Sequence, residues 1–139
     1  MGLRLLPEIS RNEWNDTVVT FRDHNFYQSW EWGEARRAMG WKVRRFVFER
    51  QGRIVAAAQG LLREIPLLPR VLFRLRGGPL VLGPHGGEMA ALKEILEGIR
   101  QTFRGGVIRV SPNHPIGNGV EAVLKASGFG RPPGQRPEQ

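Results

Sequence analysis

The sequence contains no cysteine, so disulfide bonds and thiolate chemistry are excluded. It also has no apolar run near the roughly 18 residues that a membrane-spanning helix needs. Pro7 and Glu8 follow the first residues too soon for a signal peptide. These absences lead us to expect a cytoplasmic protein.

Residues that mark common catalytic centres are scarce as well. The three histidines, at positions 24, 85 and 114, have no carboxylate at the spacing of a metal site. The sequence has no G-x-S-x-G segment, no Walker loop and no dinucleotide-binding fingerprint. It therefore gives no support to a metal centre or a serine hydrolase, and no cofactor is expected.

Lysine is rare, and arginine carries almost all of the positive charge. Only three of the 21 basic residues are lysines, at positions 42, 93 and 125, and the 139-residue chain has a net charge of +8. A length of this kind suits one domain. The charge favours a polyanionic partner such as nucleic acid, nucleotide phosphates or an anionic membrane surface, whereas arginine richness that merely reflects genome composition is the alternative.

The segment from 25 to 42 organises the sequence. Ser29 is a candidate N-cap and Gly40 a candidate C′ residue, so we predict a helix over residues 30–39. Trp32 and Arg36 are four residues apart and share one side of this helix. Arg36 is therefore either a solvated arginine beside a tryptophan or a ligand for an anion.

Hydrophobic periodicity and turn residues predict the remaining elements. The predicted elements are a strand at 3–6, a helix at 11–19, a hairpin over 41–62, an apolar loop at 65–69, strands at 71–75 and 80–82, a helix at 88–103, a strand at 107–110, a helix at 118–126 and a disordered tail at 131–139. The apolar loop either folds onto the sheet or forms a contact surface. This order predicts a mixed α/β sheet that begins like an acyltransferase and lacks its closing strands.

Two further patterns bear on binding. Arg76 precedes the pair Gly77-Gly78, which permits close approach of the backbone to a ligand but also suits a simple bulge or turn. Aromatic and basic residues alternate between Tyr27 and Arg45, as in proteins that bind single-stranded nucleic acid, although no RNA-binding motif accompanies them.

Five segments in order resemble the FemAB family. They are residues 26–37, 40–43, 54–59, 76–80 and 108–112, and the resemblance extends over about residues 8–131. It implies a GCN5-related N-acetyltransferase-like fold that works without acetyl-CoA. It also implies a peptidyltransferase of cell-wall synthesis that moves an amino acid from aminoacyl-tRNA onto the stem peptide of a UDP- or lipid-linked peptidoglycan precursor.

Family members have two such domains, so the resemblance implies that residues 1–130 correspond to a first domain. A second domain would supply much of the aminoacyl-tRNA side, and the chain would then be a fragment, a split gene product or a decayed copy, inactive in isolation. Peripheral association with the inner face of the membrane follows from a lipid-linked substrate. Leu82 and Gly83 stand where some members carry an aspartate.

The resemblance also suggests binding residues. A family lysine that contacts the precursor diphosphate sits four residues after the tryptophan of a Gln-x-x-x-Trp segment, and Arg36 stands in that position after Trp32. We expect Trp32 and Trp41 to shape the pocket wall, with core packing as the alternative. Arg76, Gly77 and Gly78 are expected near the substrate, and no catalytic residue is assigned.

Two other functions stay open. One is an acyltransferase for exopolysaccharide or lipid precursors, to which FemAB-like proteins are also similar. The other is a non-catalytic module that binds RNA or an anionic membrane surface through its arginines.

Overall fold

A computed structural model of the chain describes residues 2–6, 9–22, 24–67, 70–81, 87–111, 125 and 129. In this part of the chain, six strands form one mixed sheet. The strands are β1 (Gly2–Leu5), β2 (Lys42–Arg50), β3 (Arg53–Glu64), β4 (Val71–Arg76), β5 (Leu80–Val81) and β6 (Val107–Ser111). The helices are α1 (Arg11–Val18), α2 (Trp30–Ala38) and α3 (Gly87–Thr102), and a short 3₁₀ helix covers Phe26–Gln28. The predicted helix at 118–126 and the tail at 131–139 lie outside the described residues, except for Lys125.

The strand order is β1-β2-β3-β4-β6, with β5 paired to β3. The pairs β1–β2, β2–β3, β3–β4 and β3–β5 are antiparallel. Strand β6 runs parallel to β4, as a crossover connection that contains the helix α3 allows. The mixed α/β class predicted from the sequence is confirmed.

Local signals account for the starts and ends of the elements. The Ser10 hydroxyl accepts the Glu13 N–H at 3.2 Å and caps α1. The Ser29 hydroxyl accepts the Trp32 N–H at 3.1 Å, so the predicted N-cap of α2 is confirmed. Gly40 has φ +97°, the left-handed conformation that ends α2. Gln51 and Gly52 both have positive φ, as a tight turn between β2 and β3 requires.

Each face of the sheet has its own core. Helix α3 covers one face, where Phe46, Phe73, Leu92, Leu96 and Ile99 are buried together. Helix α1 covers part of the other face, where Trp14, Val18, Phe21, Val47 and Leu80 are buried. Strand residues alternate between these two environments, which accounts for the nearly continuous apolar run in β3.

The structure shows which residues of α2 and of the apolar loop are buried and which are exposed. Gly33 is the buried residue of α2, whereas Met39, on the side shared by Trp32 and Arg36, is 64% exposed. Leu67 in the apolar loop is fully exposed, so the loop does not fold onto the sheet at this residue. Among the described helices, none is both long and apolar enough to cross a bilayer.

Candidate functional site

A cleft opens between α2 and the adjoining strands β3 and β4. It is a small cavity of about 30 Å³ that is partly open to solvent, and it is lined by Trp32, Arg36, Trp41, Gln59, Leu61, Arg74 and Arg76. The structure thus brings together four of the six residues that the sequence nominates for binding, Trp32, Arg36, Trp41 and Arg76. These four come from α2, from the start of β2 and from the end of β4.

Arg36 is held at the cleft by an aromatic ring. Its guanidinium carbon lies 4.2 Å from the centre of the Trp32 ring, and one of its N–H groups points at the Met39 sulfur at 3.7 Å. No carboxylate of the described residues lies within ion-pair distance of Arg36. Its charge is therefore oriented by stacking and is available to an anion.

Its neighbour Arg37 has a different environment. The Arg37 Nε–H donates to the Glu34 carboxylate at 3.1 Å, one turn earlier on the same helix. Arg37 is also absent from the lining of the cleft. Two adjacent arginines of the sequence are thus separated into one that faces the cleft and one that is paired on the surface of the helix.

Aromatic rings form the walls on which the cleft arginines lie. Trp32 contacts Phe26 and Tyr27 edge to face, with ring centres 5.5 and 5.0 Å apart. The Arg76 guanidinium lies 4.0 Å from the Tyr27 ring centre. Arg36 and Arg76 therefore stack on rings of one aromatic cluster, Phe26, Tyr27 and Trp32. The cluster holds two positive charges at the cleft wall.

Trp41 forms another part of the wall. It is buried against Val43 and Leu61, and its ring lies 4.0 Å from the Arg63 guanidinium and 5.7 Å from that of Arg74. Trp41 thus combines the packing role and the wall role that the sequence leaves as alternatives.

Gly77 and Gly78 are buried behind the cleft and do not line it. Gly77 has φ +71°, and a Cβ there would overlap the Asn25 side chain, whose amide donates to the Gly77 carbonyl at 2.7 Å. A Cβ on Gly78 would lie about 3.0 Å from the Gln28 amide. These contacts explain the glycine pair by close packing, and its role in substrate binding stays a prediction.

A buried polar network fastens α2 to the sheet. The Gln28 amide donates to the carbonyls of Gln59 and Arg76 at 3.0 and 2.7 Å, and its oxygen accepts the Gln59 N–H at 2.7 Å. The Gln59 side chain in turn donates to the Ser29 carbonyl at 2.7 Å and accepts from Arg45 Nε at 2.8 Å. The helix that carries Trp32 and Arg36 is thereby fixed relative to Arg76.

Arg45 is the buried charge of this network. Burial lowers its pKa, whereas the Glu34 carboxylate, 3.2 Å away, opposes that effect. Its guanidinium also lies 3.9 Å from the centre of the Trp30 ring. Arg45 is satisfied by partners inside the protein, so we assign it to positioning α2 and not to ligand binding.

The sequence analysis missed Gln28, Gln59, Tyr27 and Arg74. Gln59 carries a readable signal, because it is the one strongly polar residue in the apolar run from 54 to 62 and a buried amide needs partners. Gln28 lies inside the segment that carries the family resemblance. Tyr27 lies in the same segment. Arg74 has no such signal, since its place at the cleft depends on strand pairing.

The charged side chains of the described cleft lining are all positive. Its seven described residues include three arginines and no carboxylate or histidine. Guanidinium groups offer paired donors that match phosphate or carboxylate oxygens. The described lining is therefore suited to binding and orienting an anionic ligand, and it presents no group for proton transfer near neutral pH.

Comparisons with known proteins place this fold and site in context. A solved structure of a probable acetyltransferase is 14% identical, has a TM-score of 0.68, and aligns over 100% of this chain and 96% of its own. A structure of ribosomal-protein-alanine N-acetyltransferase from Brucella melitensis biovar Abortus 2308 has a TM-score of 0.58 at 13% identity, covering 100% and 98% of the two chains. The fold is therefore that of the GCN5-related N-acetyltransferases.

Within this fold class, the similarity to FemAB-type proteins is more specific. FemX has a TM-score of 0.71 at 25% identity, covering 90% of this chain and 31% of that chain. Lipid II:glycine glycyltransferase of Staphylococcus aureus strain bovine RF122 / ET3-1 is 28% identical over 123 residues, 87% of this chain. No family profile matches. The resemblance to the FemAB family is confirmed by these two similarities, and the chain spans 29% of the length of that glycyltransferase.

Proposed function

We propose that this chain is a domain of a FemAB-type aminoacyltransferase and that its cleft binds a peptidoglycan precursor. In the reaction of the whole enzyme, an amine of the precursor stem peptide attacks the ester carbonyl of an aminoacyl-tRNA. A peptide bond forms, the ester bond breaks, and the free tRNA hydroxyl takes up the proton that the amine loses. The similarity to a lipid II:glycine glycyltransferase supports this choice of substrate class.

The observation that carries the proposal is the position of Arg36. Its guanidinium is stacked on Trp32 at the cleft and lacks a carboxylate partner among the described residues. A diphosphate, whether linked to UDP or to a lipid, would accept a bidentate pair of hydrogen bonds from Arg36. Arg76, mounted on Tyr27, supplies a second charge to the same cleft.

The contribution of the domain is positioning and charge stabilisation. The network of Gln28, Gln59 and Arg45 fixes α2, so the guanidinium of Arg36 is oriented before the ligand arrives. Holding the precursor in this way brings its amine toward the donor ester and reduces the entropic cost of the reaction. The arginines stabilise the negative charge of the bound diphosphate throughout.

The test compares two adjacent arginines of equal charge. Arg36→Ala removes charge-assisted hydrogen bonds to the diphosphate and is expected to weaken binding of UDP-MurNAc-pentapeptide about 10- to 100-fold. Arg37→Ala removes the same net charge from a residue paired with Glu34, so affinity is expected to stay within about twofold. Isothermal titration calorimetry with the purified chain measures both.

Three outcomes contradict the proposal. Equal losses in the two variants would mean that only the general positive field is felt. Binding that is undetectable at millimolar precursor, together with RNA binding insensitive to Arg36→Ala, would favour the non-catalytic RNA-binding alternative. Selective binding of exopolysaccharide or lipid precursors would favour the related acyltransferase alternative.

We also propose that the isolated chain binds the precursor without completing aminoacyl transfer. It corresponds to 29% of the length of its glycyltransferase relative, and its described cleft has no group that acts on the aminoacyl ester. In the cell it would act at the cytoplasmic side of the membrane, where a lipid-linked precursor is reached from the inner face. Turnover of aminoacyl-tRNA by the 139-residue chain alone would contradict this part.

A further inference from the structure

One end of the sheet carries several exposed apolar side chains. Five large apolar side chains among the described residues are exposed, namely Val19, Phe26, Met39, Leu67 and Val107. Met39, Leu67 and Val107 belong to the end of the sheet where β2, β4 and β6 begin and β3 ends. Their grouping at one end distinguishes them from apolar side chains scattered singly over a surface, which are common.

Strand pairing and one hydrogen bond bring this end together. Arg63, near the end of β3, is the register partner of Leu72 on β4, and Leu72 is the register partner of Val107 on β6. These three residues therefore share one face of the sheet. An N–H of Arg63 donates to the Met39 carbonyl at 3.4 Å, which places the end of α2 beside the same strand.

Leu67 lies in the apolar loop that joins β3 to β4. The loop is closed by the Ile65 N–H, which donates to the Arg70 carbonyl at 3.0 Å, and residues 65–69 contain no polar side chain. Leu67 is fully exposed and has φ +66°, a conformation that glycine and asparagine adopt more easily than leucine. A leucine at this position therefore favours neither the turn nor burial in the fold, and its side chain is available for a contact outside the chain.

The same end is positively charged. Lys42, Arg63 and Arg70 are exposed, and none of them lies within ion-pair distance of a carboxylate in the described part of the chain. The sequence stretches that meet there, 39–48, 61–75 and 104–111, contain one carboxylate, Glu64. The Trp41 ring lies 4.0 Å from the Arg63 guanidinium and holds that charge at the surface.

We propose that this end of the sheet binds an anionic lipid bilayer, with Leu67 inserted among the lipid headgroups. The surface is called the loop end and consists of Met39, Lys42, Arg63, Leu67, Arg70 and Val107. Apolar side chains that enter the headgroup region, flanked by lysine and arginine, are typical of interfacial membrane binding. Cytoplasmic membrane surfaces carry negative charge, which complements the basic residues of the loop end.

A protein partner fits the loop end less well. A stable interface buries about 800 Å² on each partner, and charged residues are depleted at its core. At the loop end a few apolar side chains are instead interrupted by Lys42, Arg63 and Arg70. A second copy of this chain is therefore the alternative that the experiment must detect.

The loop end is continuous with the cleft. Trp41 lines the cleft and also contacts Arg63. Leu61, another lining residue, lies two residues before Arg63 and on the same face of β3. A bilayer at the loop end would therefore lie next to the cleft, where a lipid-linked diphosphate would be presented. This consequence rests on the proposed function, whereas the lipid contact itself requires no precursor.

The first test removes the apolar side chain. Sedimentation with vesicles of equimolar phosphatidylglycerol and phosphatidylcholine, without precursor, measures the partition of wild type, Leu67→Asn and the control Val19→Asn, which changes another exposed apolar residue. We expect Leu67→Asn to partition at least about 10-fold more weakly, because one leucine side chain no longer leaves water. Val19→Asn is expected to stay within about twofold of the wild type. Leu67→Asn should melt no lower than the wild type, because asparagine tolerates a positive φ.

The second test removes charge. Lys42→Gln with Arg70→Gln changes the loop end but no residue that lines the cleft. Arg22→Gln with Arg53→Gln removes the same charge from exposed positions after α1 and at the β2–β3 turn. The first double variant should bind the anionic vesicles about 10- to 30-fold more weakly, and the second within about twofold of the wild type. The difference should shrink as salt is added.

The third test follows insertion directly. The sequence has no cysteine, so Leu67→Cys gives a single attachment site for the environment-sensitive fluorophore nitrobenzoxadiazole, and Val19→Cys gives the control. We expect the emission of the label at position 67 to shift to the blue on the anionic vesicles, and the label at position 19 to stay unchanged.

Four outcomes would overturn the proposal. They are wild-type chain that does not bind the anionic vesicles, equal losses in a variant and its control, a silent label at position 67, and self-association in sedimentation velocity that Leu67→Asn abolishes while vesicle binding persists. The last outcome would assign the loop end to a second copy of the chain.

The affinity for soluble UDP-MurNAc-pentapeptide separates the loop end from the cleft. Leu67→Asn should keep this affinity, because Leu67 does not line the cleft. Vesicle binding that depends on Leu67, in a chain that does not bind the precursor, would contradict the proposed function and support the loop end. Precursor binding without vesicle binding would do the reverse.

Discussion

At the scale of single residues, Arg36 and Arg37 show how neighbours in sequence acquire different roles. Both lie in the last turn of α2, where positive charge stabilises the helix dipole. Successive helix residues are rotated by about 100° about the axis. Arg36 therefore stacks on Trp32, whereas Arg37 forms an ion pair with Glu34. Their different contacts follow from the period of the helix.

Gly33 is the residue on which the approach of α2 to the sheet depends. A Cβ at this position would lie 2.6 Å from Gln59 Oε1 and 2.7 Å from an Arg45 nitrogen. We therefore expect Gly33→Ala to lower the free energy of unfolding by about 1 to 3 kcal/mol, because the helix must move away from a packed network. Chemical denaturation followed by tryptophan fluorescence measures this change.

The sign of that change is informative. In an exposed helix, Gly→Ala raises stability by about 1 kcal/mol, so a gain would mean that the close contact is absent. The same substitution in a Gln59→Ala background should cost less than in the wild type, since the overlapping amide has been removed. Strict additivity of the two substitutions would count against the contact.

The candidate site could be predicted from the sequence only in part. Trp32 and Arg36 are brought together by a local period, and the family resemblance added Trp41 and Arg76. Gln28 and Gln59 are 31 residues apart, and the contact between them depends on how a helix and a strand pack. No local pattern encodes such a pair, although an amide within an apolar strand does signal that a partner exists.

At the scale of elements, Asn15 joins α1 to the start of α2. Its side-chain oxygen accepts the Trp30 N–H at 2.9 Å, and its amide nitrogen donates to the Glu31 carboxylate at 2.9 Å. Arg11 donates to the same carboxylate at 2.6 Å. The pKa of Glu31 lies below its ordinary value of 4.5, mainly because its carboxylate accepts the hydrogen bond from Asn15.

The lowered pKa of Glu31 predicts how acid affects the stability of the contact between α1 and α2. A carboxylate whose pKa is lower in the folded state stabilises that state above its ordinary pKa, and the contribution is lost as the pH falls through the folded pKa. We therefore expect the stability difference between wild type and Asn15→Ala to be larger at pH 7 than at pH 3. Urea unfolding at a series of pH values measures the difference.

Asn12→Ala serves as the control, because Asn12 is an exposed asparagine of the same helix. Its effect should not vary with pH. In Glu31→Gln, which cannot ionise, the effect of Asn15→Ala should lose its dependence on pH as well. A pH-dependent effect that survives Glu31→Gln would assign the acid sensitivity to another group.

Most element boundaries could be predicted because caps, turn residues and side-chain periods are local. Seven predicted strands and helices agree with the structure to within two residues at each described end. They are β1, α1, α2, β4, α3, β5 and β6. The parallel pairing of β4 with β6 and the return of β5 to β3 were not predicted. Both depend on which strands become neighbours, and that choice is made by the core on both faces of the sheet.

At the scale of the whole molecule, the positive charge is unevenly compensated. Arg37 and Arg45 are paired with Glu34, and Arg11 is paired with Glu31, around α1 and α2. By contrast, the cleft arginines Arg36, Arg74 and Arg76 have no carboxylate partner among the described residues. The net charge of +8 is thus partly concentrated where an anionic ligand would approach.

This distribution predicts that a small polyanion stabilises the folded chain. A ligand present at about 10 times its dissociation constant adds about 1.4 kcal/mol, which raises the melting temperature of a chain of this size by a few degrees. We expect pyrophosphate to produce such a rise when compared with sodium chloride at equal ionic strength. Differential scanning fluorimetry measures it. The rise should shrink in Arg36→Ala and persist in Arg22→Gln with Arg53→Gln, which removes two exposed charges away from the cleft. An equal rise with sodium chloride would show that screening of the net charge is sufficient.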